Sequence, residues 1–272
     1  MKRLNGAELA DYIKQRQVRQ ARGLRQSAAT EPRLAIVLTG DDVPSQTYVR
    51  LKETYGKDVE VAVDVHRVDA AAALATVVQL NEDAAVHGII VQLPLSDPAQ
   101  TDEVIGAIDP RKDVDALAST TYFDAATPLA IDWLLTGYGI ELTGKKLLVI
   151  GQGRLVGAPL SARWRAAGYV VTVVSGPSDD LARLVREADV VVTATGVPGL
   201  VTSTMLRPGT IVVDAGTSSD GGRLRGDVAD DARARTDLIM TPERGGVGPL
   251  TVAALFDNVL KAARTAAEAK TD

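Results

Sequence analysis

A chain of 272 residues is too long for one small core and suits two domains of ordinary size, and 46% apolar with 24% charged residues is an ordinary globular balance. The absence of cysteine excludes disulfides, thiolate metal sites and a cysteine nucleophile. Two histidines, His66 and His87, in separate segments leave little for a zinc site or a Ser-His-Asp triad, so no metal is expected. The net charge of −5 and the lack of a long basic block argue against nucleic acid, and the sequence has neither a signal-peptide pattern nor the ~20-residue apolar run of a membrane span, so a cytoplasmic protein with no membrane partner is expected.

With only two Phe and two Trp, the cores must rest on Val, Leu, Ile and Ala, a palette that suits parallel strands covered by helices on both faces. In chain order, "RLAIVLTG", "VEVAVDVH" and "HGIIVQLPL" are short Val/Ile-rich runs closed by Gly, Pro or small polar residues. "KKLLVIGQG", "YVVTVV", "ADVVVTATG" and "GTIVVDAG" form a second group. Amphipathic segments such as Asp69 to Glu82 and Leu155 to Ala167 lie between the runs, which is the βαβ rhythm of doubly wound sheets. The groups are separated by a loop, a helix entered at Thr127-Pro128 and a Gly-punctuated turn. The pattern predicts two α/β domains with a cleft between them, the second a Rossmann-type doubly wound parallel sheet. Residues 1–130 plus 249–272 are expected to form the first domain and residues 131–248 the second. Val252, Leu255, Phe256, Val259 and Leu260 repeat at helical spacing and predict a C-terminal helix returning to the first domain.

Two local patterns carry chemistry. In "SQTYVRLK", Tyr48 and Lys52 stand one helical turn apart and share a face; alone, this reads as a solvated helix face. In "KKLLVIGQGRLVGAPL", a buried strand runs into Gly151, Gly153 and Gly157, and Pro159 and Leu160 open the following helix. Glycines there permit a tight turn and close approach to a pyrophosphate, whose charge the helix N-terminus stabilises. The second strand of this group ends in Ser175-Gly176-Pro177-Ser178, without the acid that would bind the ribose hydroxyls of NAD. This leans towards NADP, with Arg154 the nearest partner for a 2′-phosphate.

Taken together, "PSQTYVRLK", "GIIVQLPL", "PRKDVDAL", "GQGRLVGAPL", "ADVVVTATG", "GTIVVDAG", "GDV" and "GGVGPLT", in that order, resemble the bifunctional methylenetetrahydrofolate dehydrogenase/methenyltetrahydrofolate cyclohydrolase (FolD) family over nearly the whole chain. The resemblance implies Lys52 as the catalytic group and proton carrier, Gln92 in contact with it, Asp115 on the pterin ring and Tyr48 stacked beside the folate. Leu93, Pro94, Gly246, Val247 and Pro249 are implied as further substrate contacts. Gly151, Gly153, Arg154, Gly157, Ser175, Thr195, Ala215, Thr217 and Thr251 are implied as nucleotide contacts. The implied partners are tetrahydrofolate one-carbon derivatives and a second copy of the chain, with "YVVTVV" as an edge strand. The implied activities are oxidation of 5,10-methylenetetrahydrofolate and hydrolysis of the methenyl product to 10-formyltetrahydrofolate, a supply step for purine biosynthesis.

The chain departs from the family pattern in places. The usual glycine after "KDVD" is Ala116, followed by Leu117 where an aromatic is usual. Ala126 stands for a cysteine, and Glu243-Arg244 for a Val-Pro pair. Gln152 and Gly153 replace an Arg and a Ser that hold a 2′-phosphate, which pushes back against NADP and leaves NAD open. Two other readings compete: an amino-acid or shikimate-type dehydrogenase, and a catalytically idle or single-activity paralogue that binds nucleotide or a partner.

Overall fold

The computed structural model describes residues 2–220 and 223–269. In chain order its elements are β1 (Lys2–Arg3), α1 (Gly6–Ala28), β2 (Arg33–Leu38), α2 (Val43–Val59), β3 (Ala62–Arg67), α3 (Ala70–Glu82), β4 (Gly88–Val91), α4 (Thr101–Gly106) and α5 (Ala126–Gly137). There follow β5 (Leu147–Ile150), α6 (Gly157–Ala166), β6 (Val171–Val174), α7 (Leu181–Glu187), β7 (Val190–Thr193), β8 (Ile211–Asp214), β9 (Ser218–Asp220), β10 (Arg223–Arg225), α8 (Asp230–Arg233), β11 (Ile239–Met240) and α9 (Val247–Glu268).

The chain divides into two compact units. One comprises Asp11–Ala126 with Val252–Asp272, the other Met1–Ala10 with Thr127–Thr251. We call them the lysine unit and the glycine-turn unit.

The lysine unit is built on a three-stranded parallel sheet in the order β3-β2-β4. Central β2 is covered on both faces, and Leu34, Ala35, Ile36 and Val37 are fully buried, which is why it reads as an unbroken apolar run. Burying each Leu, Ile or Val is worth roughly 1.5–3 kcal/mol. On one face Ala35, Val37, Ile89 and Val91 pack with Ala73, Val77 and Leu80 of α3 and Val104 and Ile105 of α4. On the other, the Tyr55 and Phe256 rings stand 5.0 Å apart, joining α2 to α9. Buried Gln17 links three helices, accepting from the Tyr55 hydroxyl at 2.8 Å and donating to the Ala253 carbonyl at 2.8 Å.

The glycine-turn unit holds a six-stranded sheet in the order β1-β11-β8-β7-β5-β6, parallel at every pairing. Strand β6 is an edge. Residues from β5, β7, β8 and β11 pack with Leu181 and Val185 of α7 in one buried cluster.

The N-terminus corrects the expected division, which placed residues 1–130 together. Lys2 and Arg3 pair with Ile239 and Met240, and fully buried Leu4 donates its N–H to the Met240 carbonyl, so the first ten residues belong to the glycine-turn unit. A two-residue strand carries no periodicity to read, and its partner lies at the far end of the chain. The C-terminal boundary falls inside α9, with Val247–Thr251 in the glycine-turn unit and the remainder in the lysine unit.

Candidate active site

Helix α2 places the lysine. Asp42 accepts the Ser45 N–H at 2.8 Å and fixes the N-terminus, so Ser45, Val49, Tyr55, Gly56 and Val59 turn inward. Gly56 is required there, because a Cβ would collide with Val63 and the Val61 carbonyl. Lys52 falls on the flank of this buried stripe and is half-buried. Gln92 follows β4 directly, with its backbone N–H donating to the Val37 carbonyl of β2 at 2.9 Å and extending the ladder one residue past β4. Its side-chain amide nitrogen donates to the Leu93 carbonyl at 3.0 Å, which turns the amide oxygen towards the lysine. Lys52 Nζ donates to that oxygen at 2.8 Å.

Burial pushes the Lys52 amine below its ordinary value, and the charge of Asp115 pulls it partly back. Burial likewise pushes the Asp115 carboxyl upward, opposed by Lys52. Gln92 holds the amine with a neutral acceptor that is compatible with both protonation states.

Within "KDVD", Lys112 and Asp113 are engaged by the surrounding scaffold. Lys112 Nζ donates to the carbonyls of Leu80, Asn81 and Asp83 at 3.0, 2.8 and 2.7 Å, capping the end of α3. Asp113 is fully buried and accepts the N–H groups of Leu117 and Ala118 at 3.3 and 2.9 Å. Ala116 then adopts the left-handed conformation, φ 57°, in which a glycine is favoured. Asn258 of α9 donates to the Val114 carbonyl at 2.9 Å and the Asp124 carbonyl at 2.8 Å. Lys112, Asp113 and Asn258 were not legible as site-building residues, since nothing in their spacing distinguishes a scaffold charge from a solvated one.

In the glycine-turn unit, Gly151 has φ 105° and packs against the Ala194 carbonyl, while a Cβ on Gly157 would collide with the Gly151 carbonyl. Gly153 differs: a Cβ there meets nothing within 4 Å, so its bareness serves no internal packing. No side chain caps the N-terminus of α6, the helix that follows. Turn glycines, an open approach at Gly153 and an uncapped helix end form a cradle that fits a dinucleotide pyrophosphate. Beside it the Ser175 hydroxyl meets the Gln152 amide oxygen at 3.4 Å, and Arg154 is exposed.

Thr195 is already engaged. Its N–H and hydroxyl donate to Asp227 Oδ2 at 2.7 and 2.8 Å, alongside the Thr193 hydroxyl at 2.7 Å. Asp214 accepts from the N–H groups of Gly216, Asp227 and Val228 and pairs with Arg233. This buried network fixes the loops after β7 and β8, on which Thr195, Ala215 and Thr217 stand. The Asp of "GDV" is thereby explained, although the sequence showed only the motif.

Lys52, Gln92, Asp115, Tyr48, Leu93 and Pro94 all lie in the lysine unit, with Tyr48 at 37% exposure. Gly246, Val247, Pro249 and Thr251 lie in the glycine-turn unit with the expected nucleotide contacts. The Gly246 carbonyl leaves no room for a Cβ on Gly6, a Cβ on Gly246 itself would press on Thr241 and the Pro242 carbonyl, and Val247 is buried.

A parallel Rossmann-type sheet bearing a glycine turn, on a chain that also holds a desolvated lysine against an amide, defines a nucleotide-dependent α/β enzyme. Comparison with known proteins narrows the class. The tetrahydrofolate dehydrogenase/cyclohydrolase catalytic-domain model matches residues 4–115, and the NAD(P)-binding-domain model of the same family matches residues 125–267. A bifunctional protein FolD of Amoebophilus asiaticus is 39% identical over 96% of this chain and 95% of its own. The crystal structure of a bifunctional FolD methylenetetrahydrofolate dehydrogenase/cyclohydrolase from Campylobacter jejuni superposes with a TM-score of 0.91 at 34% identity, covering 97% of this chain and 99% of that one. A methylenetetrahydrofolate dehydrogenase-cyclohydrolase (FolD) from Trypanosoma brucei, complexed with NADP cofactor and inhibitor, gives 0.89 at 32% identity and covers 96% of both chains. The chain belongs to the bifunctional tetrahydrofolate dehydrogenase/cyclohydrolase family and carries both its catalytic and its NAD(P)-binding parts.

Proposed function

We propose that the protein oxidises 5,10-methylenetetrahydrofolate to 5,10-methenyltetrahydrofolate with NADP or NAD and hydrolyses the product to 10-formyltetrahydrofolate, with Lys52 as the proton-transfer group. The observation that carries this is the Lys52 Nζ–Gln92 Oε1 bond of 2.8 Å, made by an amine that burial holds below its ordinary value. Bound NADP or NAD supplies the hydride acceptor. The chain contributes alignment, Tyr48 offering a ring face and Asp115 accepting from the pterin N–H groups.

The second reaction needs proton transfer. Water oxygen bonds to the methenyl carbon as Lys52 takes a water proton; the carbon–N5 bond then breaks, N5 gains a proton, and one proton is released overall. A lysine neutral for part of the time at working pH meets this need, and a charged partner in place of Gln92 would not.

Solvent-exposed Val170 beside edge strand β6 supports a homodimer formed along that edge. The assay is to mix the protein with 5,10-methylenetetrahydrofolate and NADP+ or NAD+, following reduced nicotinamide and methenyl-folate separately. Reduced nucleotide without lasting methenyl-folate is expected. Silence with both nucleotides in folded protein would indicate the idle paralogue.

A further inference from the structure

We propose that Asn258 is a positioning residue for the folate reactions: its side-chain amide fastens both ends of the loop carrying Asp115 and so sets where that carboxylate stands relative to Lys52. The inference rests on the reading of Lys52 and Asp115 given above.

Asn258 is fully buried on α9, and its single amide nitrogen donates to the carbonyls of Val114 and Asp124, at 2.9 and 2.8 Å. These carbonyls bracket the loop, and the first belongs to the residue directly before Asp115. The amide oxygen of Asn258 is buried without a hydrogen-bond partner among the described residues, so only the donor side is in use. The other fastenings act upstream or inside the loop. Ile89 N–H holds the Lys112 carbonyl at 2.7 Å, Asp113 holds Leu117 and Ala118, and the Thr121 hydroxyl donates to the Asp113 carbonyl at 3.2 Å. Val114 is wedged against Gly88, where a Cβ would collide with it, and the Val259 side chain lies against the same glycine. Asp115 thus lies between a fixed strand side and a helix side where the Asn258 amide ties the two ends of the loop together. Losing that amide takes the donor from the buried Val114 carbonyl and cuts the tie to the Asp124 carbonyl, and the loop next to Asp115 must shift to satisfy the first.

A merely structural role would alter stability alone. A positioning role must also alter Lys52, because the Asp115 charge favours the protonated amine. The hydrolysis rises with pH as Lys52 loses its proton, so displacing Asp115 moves that acid limb to lower pH.

The experiment compares the cyclohydrolase kcat/KM–pH profile and thermal unfolding of wild type, Asp115→Asn, Asn258→Ala and Asn258→Ser. Asp115→Asn and Asn258→Ala are both expected to move the acid limb to lower pH, with kcat/KM for the Asn258 variant down about tenfold or more. Asn258→Ser retains one donor and should fall between, and it carries the test if the alanine variant does not fold. A moved limb in Asp115→Asn beside a wild-type limb and kcat/KM in the folded Asn258 variants would overturn the positioning role while leaving the Lys52–Asp115 reading intact. An unmoved limb in Asp115→Asn would overturn that reading and the inference together.

Discussion

Lys52 reaches Gln92 Oε1 at 2.8 Å while the Gln92 amide nitrogen is committed to the Leu93 carbonyl, so the lysine faces an oxygen that carries no charge. Among the described residues, the charge that raises its proton affinity is that of Asp115. The arrangement therefore sets the lysine's proton affinity by burial first and by one carboxylate second.

Replacing the neutral acceptor with a carboxylate tests that ordering. In Gln92→Glu the added negative charge stabilises protonated Lys52 and raises its pKa. With the neutral amine as the proposed base, the acid limb of the cyclohydrolase pH–rate profile should move to higher pH, and the neutral-pH rate should fall by about tenfold or more. An unmoved limb would place the proton acceptor elsewhere.

The glycines of the nucleotide turn should separate by variant. Gly157→Ala should impair folding, because its Cβ would enter the Gly151 carbonyl. Gly153→Ala should keep its melting temperature, since the added methyl meets nothing within 4 Å, yet raise the nucleotide KM by placing that methyl in the pyrophosphate's path. Steady-state kinetics with melting curves decides the matter, and an unchanged nucleotide KM in Gly153→Ala would contradict the assigned cradle.

Asp227→Ala removes the common acceptor of Thr193 and Thr195. Stranding buried donors costs about 1–3 kcal/mol each at most, and the loop after β7 should loosen. Nucleotide KM should rise while cyclohydrolase activity on supplied methenyl-folate, which needs no nucleotide, persists in the folded fraction. Loss of both activities in folded protein would contradict this division.

Much of the fold was legible because its signals are local. Central strands β2, β5, β7 and β8 are buried on both faces and read as apolar runs; α3 began one residue from its expected start and ended where expected. The strand β1 was not legible, since it is defined by a partner rather than by composition. The site divided along the same line. Gly151 and Gly157 show in sequence because they punctuate a strand-to-helix turn, whereas Asp227 and Asn258 act on residues distant in the chain.

Ala116 joins sequence to stability. The family's usual glycine at this position is explained by φ 57°, a conformation that disfavours a Cβ. Ala116→Gly should stabilise the protein by up to about 1 kcal/mol, a rise of roughly 2 °C in Tm, because relief of left-handed strain exceeds the added freedom of the unfolded chain. Calorimetry checks it, and a lower Tm would mean that the alanine conformation is unstrained.

The most direct test of the account is Lys52→Ala, assayed for methenyl-folate hydrolysis and for nucleotide reduction on the same preparation. The account expects hydrolysis to drop about 10²–10⁴-fold in folded protein, with methenyl-folate accumulating wherever reduced nucleotide still forms. Hydrolysis at the wild-type rate in that variant would contradict it and remove Lys52 from the mechanism.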